Sequence, residues 1–179
     1  MSILFYSKQD KSTLSQTNFS ILGNIMNVSV EYLGDKKFKA NTLKSSYTID
    51  CKTITPVEYF ATAIIGCTGI DLVMMAENDG YAISNYKVNA QIERSTDVPM
   101  KLNSLHIIYD FEGSLDSQKA KKYILASLES YCTTVNSVRD SVKITYSIIH
   151  NGQNIATNES IVSGGGTLLE DGFGGACGA

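Results

Sequence analysis

Two cysteines set far apart in the chain carry the most specific chemistry it offers. Cys67 lies inside the apolar stretch PVEYFATAIIGCTGIDLVMMAEN, and Cys132 follows 65 positions later in ASLESYCTTVNSVRDSVKITYSI. A thiol in the middle of a hydrophobic helix is ordinarily inert packing, with nothing to gain from the positive helix end. A second thiol on another helix offers it a redox partner, and that pair is the candidate centre of function.

Each thiol needs an element to position it. Thr55-Pro56-Val57-Glu58 satisfies two helix-start rules at once, a capping box and a proline at the first helical position. The spacing predicts a helix to about Glu77, stopped by Asn78-Asp79-Gly80. Apolar residues occupy nearly every face of this helix, so it should be covered on most sides. The run looks long enough to span a membrane, but Glu58, Thr62, Thr68 and Asp71 interrupt it, which favours a core helix. Asp116 caps a second predicted helix, SQKAKKYILASLESYC. Its apolar stripe of Ile124, Leu128, Tyr131, Cys132 and Val135 places Cys132 on the buried side.

Alternating segments supply the rest. NVSVEYL, FKANTL and SYTIDC read as three short antiparallel strands, YKVNAQIER and LNSLHIIYDFEG as a hairpin, and VKITYSII as a closing strand. Helices kept apart from antiparallel strands make an α+β fold, with two main helices of which the central one is buried and cysteine-bearing. The expected organisation is an arm over 1–25, a domain over 26–150 and a glycine-rich tail over 151–179, too rich in glycine to pack a core.

Composition narrows the function classes. The 179 residues suit one domain with a sizeable core, and a net charge of −3 without a basic stripe argues against nucleic acid as a partner. Four scattered cysteines do not make a secreted disulfide framework, and the N-terminus lacks a signal-peptide pattern, so a cytoplasmic protein with no membrane partner is expected. His106 and His150 have no cysteine, acid or second histidine at ligand spacing, which gives no ground for a zinc site or a cysteine-protease pair. The glycines near the C-terminus fit no phosphate-loop spacing, and no cofactor is expected.

TPVEYFATAIIGCTGID and SLESYCTTVNSVRDSVKITYSI, preceded by the hairpin VSVEYLGDKKFKA, resemble the OsmC/Ohr family of thiol-dependent peroxidases, in its divergent OsmC-like branch. The resemblance spans roughly residues 26–150. It implies an intertwined homodimer with active sites at the subunit interface, and reduction of organic hydroperoxides in defence against oxidative stress. Cys67 would be oxidised to a sulfenic acid, Cys132 would resolve it as a disulfide, and an external thiol or dithiol would reduce the pair.

The sequence departs from the peroxidase pattern around the activating cation. The family's peroxidases use an early-strand arginine held by a glutamate directly after the motif's proline. Here no arginine precedes Arg94, Val57 follows Pro56, Glu58 comes one residue later, and Thr133 stands where a proline usually follows the second cysteine. Lys37, beside Lys36, lies in the region of the missing arginine, but a lysine does not reproduce the planar contact of a guanidinium. Arg139 is the other candidate cation, with a surface or strand-entry arginine as its structural alternative. Glu58 would position whichever cation applies, although a capping-box glutamate needs no catalytic role. Asp71, one turn beyond Cys67, would raise the thiol pKa and is expected to pair with a cation or face solvent. The alternative to a peroxidase is therefore a non-peroxidase OsmC-like protein, a thiol-bearing or apolar-ligand binding module. Cys177 on the tail is an inert thiol or one that reaches an active site.

Overall fold

The computed structural model describes residues 26–162 together with 166 and 169. The proposed arm, most of the glycine-rich tail and Cys177 lie outside the described residues. The chain divides into two compact units between Lys52 and Thr53.

The first unit is a three-stranded antiparallel sheet in the order β1-β2-β3, with β1 Ser29–Gly34, β2 Lys37–Asn41 and β3 Ser46–Asp50. Gly34, Asp35 and Lys36 all take positive φ, which lets the chain reverse tightly between β1 and β2. The Tyr32 and Phe38 rings meet across these strands with centroids 5.3 Å apart. Val30, Tyr32, Leu33 and Tyr47 remain more than half exposed.

The second unit opens with α1, Pro56–Asn78, and its start is the capping box read from sequence. The Glu58 amide donates to Thr55 Oγ1 at 3.3 Å while Glu58 Oε2 accepts from the Thr55 amide at 2.7 Å. Asp79 and Gly80 end the helix, Gly80 with φ +76°. By length and composition α1 is apolar enough to cross a membrane, yet half of that stretch is buried within the chain. Phe60, Ile70 and Met74 stay on the exposed side. Removing the cap hydroxyl with Thr55→Ala should lower stability by about 1 kcal/mol in urea denaturation, the usual worth of a threonine N-cap.

β4 Ile83–Arg94 and β5 Leu102–Gly113 form the expected hairpin. The expected second helix is three pieces. α2 Ser117–Ala126, capped by Asp116, passes into a π-helical turn over Ser127–Tyr131, and α3 Thr133–Val138 follows. This helical crossover returns the chain in the same sense, so β6 Lys143–His150 pairs parallel with β5. Residues 153–160, expected in the tail, instead form β7 Gln153–Ser160, antiparallel to β6, with Ala156 buried. A glycine-rich C-terminus thus hides a strand whose own sequence, QNIATNES, is glycine-free.

The β4-β5-β6-β7 sheet turns one face to the helices. Leu105, Ile107, Tyr109 and Phe111 of β5 and Ile144, Tyr146 and Ile148 of β6 are all buried at alternate positions, as a two-residue period requires. The helices and antiparallel pairs make the fold α+β, as expected from the element order. His106, on the opposite face, has its ring nitrogens against Thr145 Oγ1 at 2.7 Å and Ser147 Oγ at 3.1 Å.

His150 is buried against the Phe111 ring, centroids 4.9 Å apart, and its Nδ1 lies 3.1 Å from Ser117 Oγ. Burial holds its pKa below the ordinary 6.5, with Asp116 and a hydrogen bond at Gly113 opposing. The unfolded chain takes up this proton first as pH falls, so the stability from neutral His150 is complete above about 6.5 and declines below it toward the folded pKa. Thermal melts between pH 7.5 and 5 should show that slope, and His150→Gln should flatten it.

Candidate functional site

Cys67 sits midway along α1, and Cys132 links the π-helical turn to α3. The packing of α1 against these two elements brings the two thiols together. Cys67 is 6% exposed and Cys132 fully buried; both are free thiols, and Cys67 is among the neighbours that act on the Cys132 thiol. Cys132 Sγ also lies 3.2 Å from Thr134 Oγ1. Burial pushes the Cys132 thiol up to about 12; the Thr134 hydroxyl opposes the shift and the Cys67 thiol adds to it. Cys132 therefore keeps its proton at neutral pH, which makes it a poor first nucleophile and a source of a proton for a neighbouring group.

The proposed activating groups have their own engagements. Lys37, on β2, pairs with Asp50 at 3.4 Å across its sheet, within the first unit. Arg139 Nη1 donates to the Glu129 carbonyl at 2.8 Å and to Asn136 Oδ1 at 2.7 Å, and Nη2 donates to the Val162 carbonyl. Its Nε is buried without a hydrogen-bond partner among the described residues. Glu58 is exposed at the helix start, where the Thr55 amide and then its hydroxyl hold the carboxyl below its usual range. Gln at the third position also completes a capping box. Glu58→Gln should thus keep stability within about 0.5 kcal/mol, so that any fall in peroxide consumption reports the lost charge alone.

Arg139 belongs to a seam that sequence reading missed. After β7 the chain crosses the π-helical turn: Val162 N donates to Glu129 Oε1 at 3.1 Å, and Leu169 N to Tyr131 Oη at 3.1 Å. Gly166 lies so close to the Glu129 carboxylate that any side chain there would clash.

Of the two places expected for Asp71, solvent is excluded: it is fully buried and accepts from Ser127 Oγ at 2.7 Å. Ser127 Oγ is 2.8 Å from Thr68 Oγ1, which is 2.7 Å from Tyr109 Oη. Burial raises Tyr109 well above the usual phenol range, with the Thr68 bond opposing, and nearby Tyr86, Cys132 and Asp71 raise it further. Thr68 and Asp71 stand in the GCTGID segment beside Cys67, a signal that polar groups would reach into the core there. Nothing local marks Ser127. Among the described residues no three His, Cys, Asp or Glu side chains cluster as metal ligands.

Among curated proteins, none matches this chain. Solved structures do. A hypothetical protein of Aquifex aeolicus superposes with a TM-score of 0.63 at 20% identity, covering 71% of this chain and 98% of its own. An OsmC-like protein of Mycoplasma pneumoniae gives 0.62 at 16% identity, covering 72% and 99%. An organic hydroperoxide resistance protein OsmC of Legionella pneumophila gives 0.50 at 12% identity, covering 69% and 96%. These likenesses are of fold. The sequence model of the OsmC-like protein family matches residues 49–147, more than half of the chain and including both buried cysteines. With that match over α1, the hairpin and the crossover that carries Cys132, the chain belongs to the OsmC-like protein family.

Proposed function

We propose that the protein is a thiol-dependent peroxidase that reduces organic hydroperoxides in oxidative-stress defence, using the Cys67/Cys132 pair. The observation that supports this most directly is a pair of buried free thiols carried by elements that pack against each other, Cys67 on α1 and Cys132 at the start of α3. The Cys67 thiolate attacks the terminal oxygen of R–O–O–H, the O–O bond breaks, and a proton completes the alcohol ROH. Cys67 is then a sulfenic acid. Cys132 sulfur attacks Cys67 sulfur, its proton goes to the departing oxygen as water, and the disulfide closes. An external dithiol or two thiols then return the pair to its reduced state. Family membership and the hydroperoxide-resistance name of the Legionella neighbour support the substrate class.

Activation of Cys67 is the step that asks most of the chain. A buried thiol is pushed toward its neutral form and needs a nearby cation. Lys37 is assigned this role first and Arg139 second, with Glu58 positioning the cation. Arg139 already spends donors on two carbonyls and Asn136. That commitment, and the Lys37 pairing with Asp50, favour a second reading: a thiol-bearing or apolar-ligand binding OsmC-like module without efficient peroxide chemistry.

Titration of free thiols before and after a small excess of cumene hydroperoxide separates the two. Joint loss of Cys67 and Cys132 within seconds supports the peroxidase; slow loss that ignores the peroxide supports the binding protein. The same proposal makes the protein a cytoplasmic homodimer, with Phe60, Ile70 and Met74 of α1 among the side chains a partner would cover. An obligate interface of this kind should bury more than about 2,000 Å². Sedimentation as a dimer at micromolar concentration is expected, and a monomer would reject this assembly.

A further inference from the structure

The buried hydroxyls beside the cysteine pair form an ordered chain. Ser127 Oγ donates its one proton to Asp71 Oδ2. It therefore has none for Thr68, and the 2.8 Å contact between them is a donation from Thr68 Oγ1. Thr68 has then spent its proton as well, so Tyr109 donates across the 2.7 Å contact to Thr68. All four residues are buried, and they come from three elements: Thr68 and Asp71 from α1, Tyr109 from β5, Ser127 from the π-helical turn.

Ser127 acts at both of its ends. Its side chain holds α1 through Asp71, while its carbonyl accepts the Cys132 amide at 2.9 Å, the bond that closes the π-helical turn. The path from Asp71 through Ser127 to Cys132, across the packing of α3 on α1 to Cys67 and back along one turn of α1 is a closed loop. Cutting it at Ser127 leaves the resolving side with one fewer tie to the helix that carries the other sulfur. A disulfide tolerates only a narrow range of Cα and Cβ separations, so its formation is sensitive to such a tie.

We infer that Ser127, held by Asp71, is a positioning residue that fixes Cys132 in register with Cys67 for disulfide formation. The inference deepens the proposed function, in that it concerns the same thiol pair, but it needs no peroxide to be tested.

The full-length protein would be equilibrated in buffers of reduced and oxidised glutathione, and the Cys67–Cys132 disulfide counted by mass after acid quench and alkylation. One glutathione disulfide oxidises the two thiols and leaves two glutathiones, so the equilibrium constant is an effective concentration for the pair. Ser127→Ala is expected to lower it about tenfold or more, and Ser127→Thr, which restores the hydroxyl, to recover most of the loss. Asp71→Asn keeps an acceptor for Ser127 while removing charge and is expected to stay within about threefold of the unmutated value. Both magnitudes are those of one buried hydrogen bond.

A Ser127→Ala constant equal to that of the unmutated protein overturns the inference, as does an equal loss in Ser127→Ala and Ser127→Thr. If Ser127→Ala fails to fold, Asp71→Ala decides, because it removes the acceptor and leaves Ser127 in place: a tenfold loss there with little loss in Asp71→Asn supports the tie, and a constant equal to that of the unmutated protein overturns it. A second readout separates positioning from general damage. With cumene hydroperoxide and dimedone, Ser127→Ala should accumulate trapped Cys67 sulfenic acid at the unmutated rate of formation while disulfide closure slows. Should the unmutated protein ignore the hydroperoxide, the proposed function fails while the glutathione result stands or falls by itself.

Discussion

Cys67→Ser is expected to abolish hydroperoxide consumption, and Cys132→Ser to leave a single oxidation per chain that never closes to a disulfide. The asymmetry follows from the two environments. Cys132 is fully buried and its thiol is pushed up to about 12, so it holds its proton at neutral pH and has little thiolate with which to open an O–O bond. After Cys67 has been oxidised, that proton becomes useful, because the oxygen leaving Cys67 must depart as water. Serine at position 67 keeps the volume nearly unchanged and removes the sulfur nucleophile. Stopped-flow consumption of cumene hydroperoxide reads the first effect, and intact mass after one equivalent of peroxide reads the second. Disulfide formation in Cys132→Ser, through Cys51 or Cys177, would assign resolution to another thiol. Consumption at the unmutated rate in Cys67→Ser would remove Cys67 from the chemistry altogether.

Lys37→Met should slow peroxide consumption about tenfold or more, on the order of 1.4 kcal/mol of transition-state stabilisation. It should also raise the pH midpoint of Cys67 alkylation. The substitution keeps most of the side chain's length and removes its charge. Its cost to the fold is small, since the Lys37–Asp50 pair is solvent-accessible, with side chains 42% and 28% exposed, and a pair at the surface contributes about 0–1 kcal/mol. A kinetic loss without a matching loss in denaturation midpoint therefore reports activation. Unchanged kinetics would reject Lys37 and pass the role to Arg139. If, in the unmutated protein, Cys67 alkylates with the midpoint of an ordinary buried thiol, the ligand-binding reading takes precedence.

Much of the frame was legible from local signals. The Thr55–Glu58 box and Pro56 fix where α1 begins, because capping satisfies amides within one turn and involves no distant residue. Period-two alternation marked β1 to β6, and in β5 and β6 the reason is plain, since a half-buried strand must alternate wherever it lies in a fold. Asp116 likewise announced α2 through bonds to the amides of Gln118 and Lys119. The two cysteines stood out by type and by their neighbours, and the family resemblance rested on those same segments.

β7 was missed for a compositional reason. The glycines that follow residue 162 coloured the whole C-terminal stretch, and pairing with β6 supplied the order that QNIATNES does not declare. The burial of Asp71 was missed because a lone carboxylate on an apolar helix reads as an edge or an ion pair. Its partner lies 56 positions away, and only packing of the crossover against α1 delivers that hydroxyl.

The sequence alone determined where α1 and α2 begin, the strands up to β6 and the two thiols, because capping, periodicity and residue type are properties of neighbours in the chain. The tertiary structure alone decided that the thiols meet, that the second helix breaks into a π-helical turn before Cys132, and that Asp71 takes its hydrogen bond from Ser127. Those outcomes depend on which distant side chains packing brings within about 3 Å, a distance at which hydrogen bonds form and which no local pattern encodes.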